Sequence, residues 1–514
     1  MTSNTMAMIL QELKNDFDIL LSTVTGPDGQ NCTVDQMERH LLQQLLCLGA
    51  KLLQLFLELR SANYPRKAAT RADGLTLPYH SEKPRDYFSI FGPLEIIRPY
   101  FYQKGKGGHS PLDAELGLGE DCYSDCVHEL HAELGVHTPF ERAVALVTRW
   151  LGIGLSTRCV QQFMETDAAD VAAYYEQKPP PPVAEEGAVL VIQSDGKGVP
   201  IIKTSANKDK VRLKRGQARS RKKAVTVTTV YTIDQSPRTV DEVLASLLQE
   251  GEAAPNKARS RPRHKQTWGT LQGKATALAR LQRQVAQRIG DHIRHRVMLC
   301  DGDKSLQERL RQGFPDFTLI LDFIHAYEYL WKVATALFGQ DDPQREPWVR
   351  QQTRLLLNGQ ALALATTFRQ MAQEKGRRAA QKKILNKVAN YFENNHPYMD
   401  YAAYLAKGWP IASGVIEGAC RHFVKDRMEL SGMRWSIAGA ENLLHLRAVA
   451  ENNDWQAYHR FRQQQRQQRL YQRDWPEDVP LPTLSRPVKR SQRAHMSASA
   501  FDSQQDYGQL PLAS

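Results

Sequence analysis

Three acidic residues stand where an acidic side chain can do chemistry. Asp195 follows the apolar, β-rich run Ala188 to Ile192 and is followed by Gly196 and Gly198. An apolar run without polar alternation reads as a strand buried on both faces, and the glycines let the backbone turn and a large ligand come close. Asp301 repeats the pattern, after Arg296-Val-Met-Leu-Cys and before Gly302. Glu417 lies in Ser413-Gly-Val-Ile-Glu-Gly, at the start of a helix. Taken singly, each aspartate also fits a turn residue that caps a hairpin. Together, two strand-end aspartates and a helix glutamate can converge on two divalent metal ions about 3.5–4 Å apart, the arrangement used for in-line displacement at phosphorus. Hard oxygen ligands suit magnesium or manganese.

The chain of 514 residues is long enough for several domains, and its 41% hydrophobic and 24% charged content is that of a globular protein. A net charge of +12 favours a polyanionic partner, although basic proteins that bind nothing acidic share it. Seven cysteines, an odd number spread along the chain, argue against a disulfide framework and for a reducing compartment, the cytoplasm. Cys122, Cys126, His128 and His131 put several metal-ligand types on one helix face, but no second ligand pair follows, so they read as packing. No signal sequence is evident, and no unbroken apolar run reaches about 18 residues, so no membrane span is expected.

Residues 1–60 read as N-terminal helices, whose apolar spacing at Met37, Leu41, Leu45, Leu48, Leu52, Leu55 and Leu57 fits either packing within one subunit or self-association. Residues 61–178 read as a polar linker over 61–82, two strands around Gly92-Pro93, and two helices over 138–166. Thr138-Pro-Phe-Glu has capping-box form, Gly152-Ile-Gly breaks the first helix, and Ser156 opens the second. That outline fits a DNA-reading helix-turn-helix or an ordinary helical hairpin. Residues 187–325 supply strands at 188–194, 199–204 and 224–233, a basic helix over 264–295, a strand to Asp301, a helix from Ser305 and a strand over 317–322. A basic hairpin at 203–223 separates the second strand from the third. This order is that of an α/β RNase H-like core with a mixed five-stranded sheet. Residues 326–407 are helical, 408–455 return to the core with Glu417, and 456–514 read as a basic, Gln-rich, partly disordered tail.

The motifs also resemble a known family. Ser194-Asp-Gly-Lys-Gly-Val, Leu319-Ile-Leu-Asp-Phe-Ile-His-Ala-Tyr-Glu-Tyr-Leu-Trp, Gly408-Trp-Pro-Ile-Ala-Ser-Gly-Val-Ile-Glu-Gly and Arg427-Met-Glu-Leu-Ser-Gly-Met-Arg-Trp-Ser resemble the DDE transposases of bacterial insertion sequences, most closely the ISKra family, distantly Mutator-like. The resemblance spans most of residues 85–455. It implies catalytic and metal-binding roles for Asp195, Asp301 and Glu417, with two magnesium or manganese ions. It implies an all-helical insertion at 326–407. It also matches Asp322 and His325 to a motif of Mutator-type relatives, where they either orient the site or serve structure. The partners implied are double-stranded DNA, both terminal inverted repeats and target, and a second copy of the chain in a homodimer or higher oligomer. Arg158 would read or hold DNA from the helix-turn-helix. Lys425, Arg427 and Arg434 would meet DNA near Glu417, and Trp435 would either stack on an unpaired base or belong to the core. A structure-specific endonuclease or resolvase with the same core would use the same three carboxylates.

Overall fold

The computed structural model describes residues 3–202, 222–248, 260–475 and 479–484. The chain opens with helices Ser3–Thr25 and Val34–Ala62. Thr33 starts the second through a reciprocal capping box with Gln36, and Lys51 meets Asp16 of the first at 2.5 Å. By length and composition Val34–Ala62 could cross a membrane, which counting only unbroken apolar runs had excluded. Its inner face is nevertheless docked: Leu57 packs with Ile96 and Leu118, and the Gln54 amide bonds both the carbonyl and the N–H of Glu95. Leu45, Leu52 and Phe56 on this helix, and Leu10, Phe17, Leu21 and Val24 on the first, are exposed.

The expected linker over 61–82 instead contributes strands at 68–70 and 76–82. Strands β1 (Ala68–Thr70), β2 (Thr76–Ser89), β3 (Gly92–Gln103) and β4 (Gly107–His109) pair antiparallel in that order. A small sheet exposed on one side needs few apolar residues, so its composition imitates a linker. Helices Asp125–His137, Phe140–Leu151 and Thr157–Ala168 follow. The expected helix, short turn and helix are present, with Gly152 ending the first at a φ of 70° and the Ser156 hydroxyl capping the second. Thr138 does not cap forward as expected; its hydroxyl donates back to the Leu134 carbonyl.

The five-stranded sheet comprises β5 (Val189–Pro200), β6 (Lys222–Ile233), β7 (Arg263–Thr270), β8 (His295–Cys300) and β9 (Thr318–Leu321), in the order β7-β6-β5-β8-β9. β6 and β7 are antiparallel to their neighbours, whereas β5, β8 and β9 run parallel. This mixed α/β arrangement is compatible with an RNase H-like core. Two sequence expectations are corrected. β5 does not turn at Gly196; it pairs with β6 unbroken from Val189 to Pro200, so the strand expected at 188–194 and the start of the one expected at 199–204 are one strand, residues 203–204 lying outside the described residues. The third strand is Arg263–Thr270, expected to be helical, and the basic helix begins only at Lys274. Most of the basic hairpin expected at 203–223 lies outside the described residues.

Helices Phe323–Phe338, Arg345–Leu357, Ala361–Gln373, Ala379–Asn395 and Tyr401–Ala406 pack on one another and share a core with Val189, Val191 and Leu299 of the sheet. The segment expected as a tail begins as a packed helix, Trp455–Tyr471. Its Arg462 is paired with Asp167 and its Arg466 with Asp125 at 2.5 Å, so residues that look like solvated charge are buried. His128 belongs to the same network, with Nδ1 3.1 Å from Asp167 and Nε2 2.9 Å from Asp121.

Burial works against charge on His128, but its bonds to Asp121 and Asp167 prevail and raise its pKa to about 9. A histidine whose folded pKa exceeds its unfolded one stabilises fully below the unfolded value and ceases to do so as pH rises through the folded value. Stability should therefore fall between pH ~6.5 and ~9 by up to about 3 kcal/mol. Urea unfolding across that window should show the fall in the wild type and a flatter profile in His128→Gln. Identical profiles would remove His128 from the network.

Candidate active site at the edge of the five-stranded sheet

Register brings the two aspartates together. β5 and β8 pair in parallel up to Gln193 and Leu299; Asp195 stands two residues further along β5 and Asp301 just past the end of β8, near enough for the charge of Asp195 to act on Asp301. β8 and β9 pair up to Cys300 and Leu321, which sets Asp322 beside Asp301 in the same way. Asp195 lies within its strand rather than at its end, and its Oδ1 accepts the Gly196 N–H at 2.6 Å. Asp301 begins a turn in which its Oδ1 accepts the Asp303 N–H at 3.1 Å. A Cβ on Gly302 would meet the Tyr391 ring at 2.4 Å, so only glycine lets this turn press against the helical layer. Burial raises the Asp301 pKa, and the negative charge of Asp195 adds to it.

Glu417 approaches from the other side. It occupies the first turn of helix Gly414–Ala419, which continues as a π-helix, Cys420–Lys425. The Ser413 hydroxyl donates to Glu417 Oε1 at 3.0 Å and fixes the carboxylate. Burial raises the Glu417 pKa and the charge of Asp322 adds to it, against the Ser413 bond. One turn on, the buried Cys420 thiol lies beside Asp195; burial and that carboxylate push its pKa up. The helix of Glu417 is thereby seated against the strand of Asp195.

Asp322 and His325 complete the group. Asp322, Asp195, Asp301 and Asp303 all add to the field on the buried Cys300 thiol, whose pKa rises mainly from burial. Among the described residues, Asp322, His325 and Glu417 have ligand atoms within 4.8 Å of one another, close enough to share a metal ion. The bonding separates their roles. Asp322 is fully buried, and its Oδ1 accepts from the N–H groups of Ile324 and Ser413, each at 3.1 Å. Its Oδ2 takes the His325 Nδ1–H at 2.5 Å. With both oxygens engaged, Asp322 fits holding its neighbours better than holding a metal. The Asp322 bond, against the cost of burial, raises His325 to a pKa of about 9, so His325 is a cation at neutral pH, 3.9 Å from Glu417 Oε1.

The residues expected to meet DNA divide by exposure. Arg158, at the start of its helix, is exposed, as are Lys425 and Arg434. Arg427 and Trp435 are corrected: both are buried, at 1% and 9% exposure. Arg427 Nε donates to the Gly135 carbonyl at 3.0 Å, and its guanidinium lies over the rings of Phe140 and Trp435. Trp435 Nε1 donates to the Met428 carbonyl at 3.0 Å, and its backbone pairs with Pro200 and Ile202 beyond the end of β5. A tryptophan so occupied cannot stack on a base. Sequence reasoning missed Ser413 and Cys420; their one signal was their spacing of four before and three after Glu417, which puts them near one helix face.

No protein-family model matches the chain, and no curated protein does. Among solved structures, one that matches is described as a Drosophila P element transposase strand transfer complex. It is 8% identical, over 71% of this chain and 84% of that one, with a TM-score of 0.22. At that score the likeness assigns neither a shared fold nor an activity.

The donor set fits hard divalent cations. Asp195, Asp301 and Glu417 offer oxygen only, and among the described residues no lysine or arginine pairs with any of them. A cation bound there would offset the like-charge repulsion among these carboxylates. Magnesium or manganese should raise the Tm of the wild type, by roughly 3 kcal/mol of stability at about 100 times the Kd. Asp301→Asn should stabilise the cation-free protein and lose most of the response. An equal response in wild type and Asp301→Asn would place the cation elsewhere.

Proposed function

We propose that the chain is a DNA transposase of the DDE class, of the ISKra type among bacterial insertion sequences, acting on DNA in the bacterial cytoplasm. The observation that carries this reading is that Asp195 on β5 and Asp301 just after the adjacent parallel β8 come together, with Glu417 brought towards them by a separate helix. In this reading Asp195, Asp301 and Glu417 hold two divalent cations, magnesium or manganese, which when bound supply the positive charge that in-line displacement at phosphorus needs on its attacking and leaving oxygens.

The first displacement is hydrolysis: a water oxygen bonds to phosphorus at the element's end and the 3′ oxygen leaves. The second joins that 3′ hydroxyl to a target phosphodiester, again with departure of a 3′ oxygen. Neither needs a covalent bond to protein. His325, held as an imidazolium by Asp322, offers a fixed positive charge beside the carboxylates, suited to a non-bridging phosphate oxygen. Lys425 and Arg434, exposed near the same helix, suit flanking phosphates. Arg158 and the helices at 140–168 suit terminal-repeat recognition, and the helical layer at 326–407 is the insertion of the DDE class. The apolar faces left exposed on the first two helices suit contact with a second copy, as joining two ends requires.

The test is incubation with labelled DNA from either flank of the reading frame, a target plasmid and magnesium. Wild type should cleave and join. Asp195→Asn, Asp301→Asn and Glu417→Gln should each lower the rate by at least about 10³ while DNA binding persists. Cleavage without joining would favour a structure-specific endonuclease; full activity in EDTA would end the metal-dependent reading.

A further inference from the structure

Gln193 is a polar residue that directly follows the buried apolar run of β5. It lies on β5 two residues before Asp195 and is fully buried. Its side chain makes two bonds. Nε2 donates to the Tyr231 hydroxyl at 3.0 Å, and Oε1 accepts the Ile416 N–H at 2.8 Å. Ile416 precedes Glu417, so this amide ties the strand of one site carboxylate to the helix of another.

The start of that helix explains why a tie is needed. The first N–H groups of a helix have no partner within it, and the residue before the first turn normally accepts one of them through its side chain, usually that of the third helical residue. Here that residue is Ser413 and the third helical residue is Ile416, but the Ser413 hydroxyl makes no such cap and is turned to Glu417 instead, to which it donates. The Ile416 N–H reaches the Ser413 carbonyl at 3.0 Å and is otherwise served by Gln193. The Ser413 N–H goes to Asp322. Both capping acceptors are thus supplied by the sheet, from the strand of Asp195 and from the end of β9.

We infer that Gln193 is a positioning residue: it caps the helix of Glu417 from β5, in the place that the Ser413 hydroxyl leaves open, and so sets the Glu417 carboxylate against Asp195. This rests on the reading of Asp195 and Glu417 as co-ligands of a divalent cation. A carboxylate set loosely costs cation affinity and turnover before it costs DNA binding, because DNA is held by other surfaces.

The test compares the full-length wild type, Gln193→Met, Gln193→Asn and Tyr231→Phe. Met fills the space without an acceptor; Asn keeps the amide but is one methylene too short; Tyr231→Phe leaves the Ile416 bond in place. Manganese binding is read as free ion by electron paramagnetic resonance, and cleavage on the flanking DNA as kcat and KM. Gln193→Met and Gln193→Asn should weaken manganese binding by about tenfold or more and lower kcat, with KM for DNA unchanged. Tyr231→Phe should resemble the wild type. Wild-type manganese affinity and kcat in either Gln193 variant would overturn the inference, and so would loss of folding in both, which would make Gln193 a purely structural residue. A wild type that binds manganese without cleaving DNA would refute the transposase reading alone, leaving the binding isotherms to decide the role of Gln193.

Discussion

The structure depends on keeping like charges crowded at one edge of a sheet. Asp195 on β5, Asp301 just after β8 and Asp322 just after β9 come together along three neighbouring strands, and Glu417 is brought in beside Asp322. Each would lower its energy by moving away. Burial of the strands on both faces prevents this below the edge, where Val191, Ile192, Leu299 and Ile320 are fully enclosed. At the edge itself, hydrogen bonds hold the carboxylates: the Gly196 N–H to Asp195, the Asp303 N–H to Asp301, Ser413 to Glu417, and three donors to Asp322. Preorganised, mutually repelling oxygens are what a hard divalent cation binds.

The helices before and after the sheet are joined to this edge by buried arginines rather than by apolar contact alone. Arg447, on helix Ile437–Glu451, donates to the carbonyls of His422 and Phe423 in the π-helix and to the Val136 carbonyl at the end of Asp125–His137. Arg427 reaches the neighbouring Gly135 carbonyl. Backbone carbonyls at a helix end have no intrahelical partner, and here two arginines satisfy them without a carboxylate. The helices carrying Arg158 are thus attached through Gly135 and Val136 to the segment that carries Glu417.

The residues of the site were legible in the sequence because each was announced locally, by an apolar run ending in Asp-Gly or a glycine-flanked helix start. What escaped was non-local. β7 carries Arg263, His264, Lys265 and Gln266 and resembles the start of a basic helix; its strand form comes from pairing with β6 and from Glu441 and Asn452, which bond Leu271 and Thr267 from a helix some 170 residues on. Gly196 looked like a turn because glycine permits one, but twelve paired positions on β6 hold the strand straight. Arg427 and Trp435 looked like DNA contacts because their types suit phosphate and base; the structure spends them on backbone carbonyls. Arg462 and Arg466 looked like tail because Asp125 and Asp167, which neutralise them, lie over 290 residues earlier.

The central claim is that Asp195, Asp301 and Glu417 form one cation site, with Asp322 and His325 serving it from beside. Anomalous scattering from crystals soaked in manganese tests this most directly. The account predicts density beside Asp195 within β5 and Asp301 at the end of β8, with oxygen ligands from Asp195 and from Asp301, Glu417 or both at about 2.0–2.2 Å, and with the Asp322–His325 bond intact. Manganese bound instead by Asp322, His325 and Glu417, with none at Asp195, would contradict it.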